Sequence, residues 1–564
     1  MQNTRKTVLL TAALLLSAAG AALALQKPTQ AQLETYEQDG TLPARQAFAR
    51  SLGTNRFAPG AVARFKRDRQ LKALLGRGLA PAAAAAQLPP PDWRGMPVTG
   101  TPKVLVLLIE FGDYAHTNSS TTVNAQVFGA GVGGPPAESL KNFYSRSSYG
   151  LLTITGNTLG WYNTTLPRAN VPLTVAGREA LIKQALNYYD GIGHDFAQYD
   201  NDSDGAVDYF AVIWTGPDNG WGNFWWGYQT TFQDTAYKLD AKSFGTYSWQ
   251  WESNPVGGAY DPLVLIHETG HALGLPDYYD YEPLVGNAGG VGGLDMMDGN
   301  WGDHNAFSKF MLGWLDPVTV SAGADSGTLR PSDANPDAIK LMPEAEAGQI
   351  FGEYFIAQNR DQAGNDLTIP ASGLLLWHVD SRLNAGGTDF LYDNSVTDHK
   401  LLRLMEADGL EEIDTGAFAD AGDFYTGAAA FGPGTSPSSS KYDGSYTGVS
   451  LGNIGGTTAS TTFDYSVLNA GKLVTVTDNL FRPLKGGTCK LDVTALKSGN
   501  LSIKIYTSAG ALVKTLYNGP VAAGPATYNW AGDTDGGRTA ASGVYIVQVR
   551  GPGVGKTLKV VLIK

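Results

Sequence analysis

The stretch that most constrains this chain is Asp261–Asp280, DPLVLIHETGHALGLPDYYD. It sets His267 and His271 four residues apart, with Glu268 beside the first. Residues at i and i+4 share one face of an α-helix, so the spacing predicts a helix that projects two imidazoles to one side. Two such donors are half of a tetrahedral zinc site, and a carboxylate next to one of them can reach a metal-bound water and take its proton. Asp261 can cap this helix and Pro262 suits its first turn, where proline's missing N–H would have no partner anyway. Gly274 is placed to end the helix in a left-handed conformation and turn the chain back, so that Asp277 arrives as a third ligand. With 7 His and 14 Glu in 564 residues, chance would write this motif in roughly two of a thousand such chains. The expectation is therefore a zinc site with Glu268 as base, not two stray histidines.

The rest of the chain must supply a setting for it. Its length predicts three or four domains, and its 70 Gly predict many turns and short strands. A net charge of −12 argues against nucleic acid and against an anionic membrane surface as partners. The acid is lopsided, 39 Asp against 14 Glu, which suits turns and calcium loops better than helices. Arg5 and Lys6 precede an apolar run from Val8 to Leu16, and Ala22-Leu23-Ala24 offers a cleavage site, so residues 1–24 read as an export signal. No later stretch is long and apolar enough to span a bilayer. A single Cys489 excludes an internal disulfide framework, which leaves calcium as a plausible stabiliser of an exported chain.

Residues 25–100 carry a basic, helix-prone stretch (Arg45 to Leu79) and then an Ala/Pro-rich linker through Pro91, which together read as a propeptide. It has no cysteine to serve as a latency ligand, so latency would need a carboxylate or a steric plug. The core proper opens with KVLVLLIEF at Lys103–Phe111, a continuous apolar run suited to a central strand. Helices are expected at Pro136–Tyr149, Arg178–Tyr189 and Phe307–Leu315, and short strands at Leu151–Thr155, Leu159–Tyr162 and Tyr209–Trp214. Asp200, Asp202, Asp204 and Asp208 surround Gly205 in a tight turn, which gathers hard oxygens around one point and predicts bound calcium. Ala211 sits where an EF-hand needs its bidentate Glu, so the loop is a shorter calcium loop. A glycine-rich segment, Gly289 to Asp298, carries two methionines where metzincin-type peptidases place a methionine turn beneath the metal. Met297 is the expected floor, with Met296 the alternative. Trp221–Tyr228 could line a cleft or pack as a loop, while His378 reads as a core residue and His116, His194, His304 and His399 as solvated.

Taken together, KVLVLLIEFGD, SLKNFYSRSSYG, DNDSDGAVDYF, HETGHALGLPDYYD, GLDMMDGNW and FMLGWLDP resemble the immune inhibitor A-type metallopeptidases, secreted bacterial zinc proteases related to metzincins. The resemblance continues through EYFIAQNR, GLLLWHVD, EADG and SPSSSKYDGSYTGVSLGNI to Ile454. It implies a metzincin-like catalytic domain over 101–320, a β-rich domain over 321–468, zinc on His267, His271 and Asp277, and Glu268 as general base. From about Lys472 the strands Leu501–Tyr506, Leu512–Leu516, Ala526–Trp530, Val544–Val549 and Thr557–Ile563 predict a small β-sandwich over 469–564. That run resembles the immunoglobulin-like module of flagellar-hook capping proteins and also C-terminal sorting domains; with no evident row of aromatics for sugar binding, a spacer or sorting signal is a better reading than a carbohydrate binder.

The expected whole is a multidomain α+β protein, a secreted monomeric zinc endopeptidase stabilised by calcium and acting on protein or peptide substrates. Two alternatives stand beside it: a non-catalytic calcium-binding surface or matrix protein, and a zinc amidase acting on cell-wall or glycan substrates. An intact Glu268 speaks against the first. Tyr278, Tyr279 and His304 are all open as oxyanion helpers.

Overall fold

A computed structural model describes residues 28–282, 285, 290–343, 345, 348–395, 399–457, 459–468 and 473–564. The export signal expected at 1–24 lies outside the described residues, as does Gly289 of the methionine loop.

The run VLVLLI becomes the centre of the main sheet. Its strands are β1 (Lys103–Glu110), β2 (Thr155–Asn163), β3 (Ala206–Trp214), β4 (Tyr228–Thr231) and β5 (Ser243–Trp251), in the order β2-β1-β3-β5-β4. All pair in parallel except β4, which runs antiparallel to β5 at the edge. Strand alternation sends Leu105, Leu107 and Ile109 to one face and Val104, Val106 and Leu108 to the other, and both faces are buried. That is why the run is continuously apolar. The expected pair of short strands at Leu151–Thr155 and Leu159–Tyr162 is instead the single strand β2, held by its parallel register with β1.

Five helices cover the sheet: α5 (Ser120–Val127), α6 (Leu140–Ser147), α7 (Val175–Gly191), α8 (Leu263–Ala272) and α9 (Ala306–Met311). α6 starts later than the expected Pro136 because the Ser139 hydroxyl caps it, accepting the Asn142 N–H at 3.2 Å. α7 supplies Leu181, Ile182, Ala185 and Leu186 to one face of the sheet. α6, α8 and α9 fill the other with Leu140, Phe143, Leu265, Ile266, Phe307 and Phe310.

Four further helices precede β1: α1 (Gln30–Gln38), α2 (Leu42–Leu52), α3 (Ala61–Gly76) and α4 (Pro81–Ala85). They are packed into the molecule: Leu33, Tyr36, Leu42 and Ala49 enter one core, and Phe57, Ala61, Val62 and Phe65 the other. Phe65 meets Phe310 of α9 edge-on at 4.9 Å between ring centroids.

After α9 come a five-stranded sheet (Leu402–Leu404, Gly373–Asp380, Glu353–Arg360, Ile339–Leu341, Val318–Val320) and a three-stranded one (Ser450–Thr457, Ser460–Val467, Gly323–Leu329). The five-stranded sheet turns Ile356, Leu375, Trp377 and Val379 into the core that holds α8, so the two regions share apolar packing. The C-terminal residues form a sandwich of a three-stranded and a five-stranded sheet around a core of their own, with Trp530, Ile503, Val547 and Cys489 at its centre. Among the described residues no helix is long and apolar enough to cross a membrane.

Candidate metal and catalytic site

α8 begins one residue later than its capping sequence suggests. Pro262 occupies the cap position, and Asp261 Oδ1 reaches over it to accept the Leu263 N–H at 3.0 Å. Val264 to Ala272 are all buried, so this is a core helix with two histidines rather than an amphipathic one. Gly274 follows with φ +102°, and the Leu275 N–H returns to the Gly270 carbonyl at 3.0 Å. The reversal predicted from Gly274 carries the chain back to Asp277.

The three side chains meet. His267 Nε2 lies 2.9 Å from Asp277 Oδ1, and His271 Nε2 lies 3.5 Å from Asp277 Oδ2. Each imidazole is oriented by its other nitrogen. His271 Nδ1–H donates to the Leu275 carbonyl at 2.8 Å, and His267 Nδ1–H donates to the Met296 carbonyl and to Asn300 Oδ1, both at 2.7 Å. A carbonyl can only accept, so the proton of a neutral ring sits on Nδ1 and both Nε2 lone pairs face the carboxylate. Three acceptors turned on one another require a shared cation or protons between them. Burial alone would lower the His267 pKa, but the bond and charge of Asp277 override it and raise it to about 9. Burial likewise pushes Asp277 up, and the two imidazoles more than reverse this, so its carboxyl stays well below the usual range.

Tetrahedral zinc with bonds of about 2.0–2.1 Å needs its ligand atoms roughly 3.3 Å apart. The distances of 2.9 and 3.5 Å bracket that value. Glu268 is buried beside these groups, and its two oxygens make no hydrogen bond of ordinary geometry. Burial raises its pKa to about 7 against the pull of His267 and His271. A buried carboxylate beside these three ligand atoms fits a site built to hold a cation and a water bound to it.

Met297 meets α8 at Gly270: a β-carbon at that glycine would lie 2.3 Å from Met297 Sδ. Met296 contributes its carbonyl to His267 and lies at the wall of a neighbouring cleft. The two methionines considered for the floor therefore do different things, and Met297 is the one packed under the histidine helix. The cleft, of about 830 Å³, runs past Trp251, Tyr260, Val264, Asn300 and Trp301. None of the four site residues lines it. All four are at most 5% exposed.

The N-terminal segment closes the other side. The Thr54 carbonyl accepts the Asp277 N–H at 2.7 Å, and the Thr54 hydroxyl pairs with Tyr281 OH at 2.8 Å. Tyr281 in turn donates to Asp277 Oδ2 at 2.5 Å. α2 lies over the edge strand β4, with Phe48 edge-on to Tyr228. Asn300, Tyr281 and Thr54 escaped the sequence reading. Only the DGN turn around Asn300, whose φ is +53°, carries any local signal for them.

Other expectations divide. Trp221, Phe224, Trp225, Trp226 and Tyr228 are a packed loop within the α7-side core, not a cleft wall. His378 is buried, as expected, against Glu353 at 3.1 Å and stacked on Tyr442. His304 is not solvated. It is fully buried among Phe143, Tyr144 and Trp314 because the loop that bears it folds under α6. His399 is only partly exposed, stacked between Tyr392 and Tyr442 and paired with Asp380. His116 stacks on Trp161 and bonds to Glu110, and His194 bonds to the Tyr199 hydroxyl, so neither is simply solvated. Tyr278 OH is engaged with Ser308 Oγ at 2.7 Å, away from the histidines.

The four aspartates of the upstream loop do converge, within 4.8 Å of one another. Gly205 takes φ +94°, and the Asp204 N–H donates to both Asp200 Oδ1 and Asp202 Oδ1. Burial raises the Asp208 pKa to about 7. Lys242 pairs with Asp200 at 2.7 Å and Arg94 with Asp204, so two basic side chains already meet this cluster.

Residues 481–552 match the family described as the FlgD Ig-like domain. The chain is 24% identical over 249 residues to immune inhibitor A of Bacillus thuringiensis subsp. alesti, covering 35% of this chain and 36% of that protein. It thus spans about a third of the length of that curated relative. Among solved structures, FLGD from P. Aeruginosa is 24% identical over 16% of this chain and 64% of that one, with a TM-score of 0.12. Wild type OgpA from Akkermansia muciniphila is 10% identical over 82% of this chain and 92% of that one, with a TM-score of 0.18.

Proposed function

We propose that this chain is a secreted, zinc-dependent endopeptidase. One observation carries the reading: His267, His271 and Asp277 turn their acceptor atoms on one another beside the buried Glu268. The distant similarity to immune inhibitor A supports a peptidase over the two alternatives. When bound there, zinc supplies Lewis-acid activation of water and of the scissile carbonyl. The chain's own residues do the rest. Leu275, Met296 and Asn300 fix the imidazole tautomers, and Tyr281 anchors Asp277. Glu268, with a pKa near neutrality, takes the proton from the attacking water and returns it to the leaving amine. Met297 packs beneath the helix as an apolar floor.

The same reading makes the N-terminal segment a pro-segment that holds the site closed. Of the two options open to a segment without cysteine, a carboxylate or a steric plug, the reading takes the plug, with the Thr54–Tyr281–Asp277 chain of hydrogen bonds as its contact with the centre. Calcium at Asp200, Asp202, Asp204 and Asp208 belongs to the proposal as a stabilising ion.

The test is Glu268→Gln, which keeps the shape of the side chain and removes its basicity. Zinc content should stay at the wild-type level while casein cleavage by the processed enzyme falls by at least 10³-fold, roughly the share that acid–base catalysis and its coupling to the metal supply. Cleavage at the wild-type rate would sink the mechanism.

A further inference from the structure

A second group of carboxylates lies outside everything used above. Glu406, Asp408 and Glu412 bring one oxygen each within 4.8 Å of one another, in the loop that follows the strand Leu402–Leu404. Asp423 stands beside them, from the next turn of the chain, outside the three whose oxygens all fall within 4.8 Å of one another. It is fully buried, one oxygen accepts the Asp420 N–H at 2.8 Å, and the other, Oδ1, has no partner. The charges of Asp408, Asp420 and Glu412 act on it, and it is itself the strongest unfavourable charge on Glu406. The turn sits against Asp408: a β-carbon on Gly422 would lie 2.5 Å from Asp408 Oδ2. Glu412 Oε2 is likewise buried and unpartnered.

Nothing basic meets this cluster among the described residues. The neighbouring cations are committed elsewhere, Lys400 to Asp414 and Arg403 to Glu411 and Asp414. The contrast with the Asp200–Asp208 loop, where Lys242 and Arg94 are already present, is direct. Buried carboxylates without a counter-charge are costly and call for a cation or a proton. The donors are all hard oxygens, without a nitrogen or sulfur among them, which matches calcium and disfavours zinc.

We infer that Glu406, Asp408, Glu412 and Asp423 bind a calcium ion that braces the 405–424 loop against the candidate active site. The loop is tied to the methionine segment. The Ala419 N–H donates to the Gly292 carbonyl at 2.8 Å, Ile413 and Ala419 close on Gly292, and Phe418 covers Gly293 and lines the cleft. An ion there would set one wall of the cleft and steady the segment that carries Met296 and Met297.

Calorimetric titration of calcium into the calcium-depleted full chain, with a melting curve at each end point, tests this without any proteolytic readout. Asp423→Asn, nearly isosteric, should bind one calcium fewer than the unsubstituted protein, or bind it at least tenfold more weakly, and should lose part of the calcium-dependent rise in Tm. Asp202→Asn should leave that equivalent in place. Should Asp423→Asn fail to fold, the partly exposed Glu412→Gln reads the same equivalent. Unchanged stoichiometry and Tm rise in these variants would overturn the inference, as would complete loss of calcium uptake in Asp202→Asn alone. Uptake of magnesium in place of calcium at this site would overturn the assignment of the ion.

Discussion

Gly270 sits between the two histidines, and its missing side chain lets Met297 reach the helix. A methyl group there would overlap Met297 Sδ at 2.3 Å, so either the thioether or the helix must move. Gly270→Ala should destabilise the protein by about 1–3 kcal/mol, the usual cost of overpacking a core, and should lower zinc retention on dialysis. A variant with unchanged melting and metal content would show that the floor is not under load. At this scale the sequence was informative where chemistry is local. Two histidines one turn apart, an adjacent glutamate and a glycine that reverses the chain all act within a dozen residues, so their spacing carried the geometry. Asn300, Tyr281 and Thr54 reach the same centre from distant segments, and nothing in their own neighbourhoods marked them. His304 misled for the same reason: its polar sequence neighbours are not its neighbours in space.

At the scale of elements, α3 poses the sharpest question. Its sequence is basic and helix-prone, as expected of a detachable leader, yet it sends Ala61, Val62 and Phe65 into the core that holds α8. Phe65→Ala should cost about 3–5 kcal/mol, the range for truncating a buried aromatic. Thermal or urea unfolding of the full chain would read it, and an unchanged midpoint would mark α3 as a loosely held leader. Release of a segment so embedded exposes apolar surface from both cores, so the processed chain should melt at a lower temperature than the full one. Strands and helices were legible in proportion to how plainly one face was apolar. β1 and the histidine helix announced themselves, whereas β2 has glycines and polar residues and takes its identity from pairing with β1. The sequence pattern of α6 runs longer than the helix because the capping serine lies inside an otherwise helical stretch.

At the scale of the molecule, the C-terminal sandwich stands apart in its packing. Among the described residues its apolar cluster starts at Leu473 and Val474, and it touches the preceding region through polar contacts such as Lys497 with Asp443 at 2.6 Å and the Tyr446 N–H to the Leu496 carbonyl at 2.6 Å. A chain ending at Leu468 should therefore keep its casein cleavage within about twofold of the full-length enzyme, because sites with no shared partners act independently. Loss of activity on removal of the sandwich would contradict that separation. The boundary near 320 behaves differently. The five-stranded sheet that follows α9 shares a core with the histidine helix, so sequence order alone could not reveal that these two regions pack as one.

The proposed peptidase activity depends on a cation held by His267, His271 and Asp277. Casein cleavage by the purified, processed protein, followed through removal of zinc by a chelator and its return at one equivalent, tests it most directly. The expected result is one tightly held zinc per chain, loss of cleavage with the metal, and recovery at one equivalent in the wild type but not in Glu268→Gln. Undiminished cleavage by metal-free protein would contradict it.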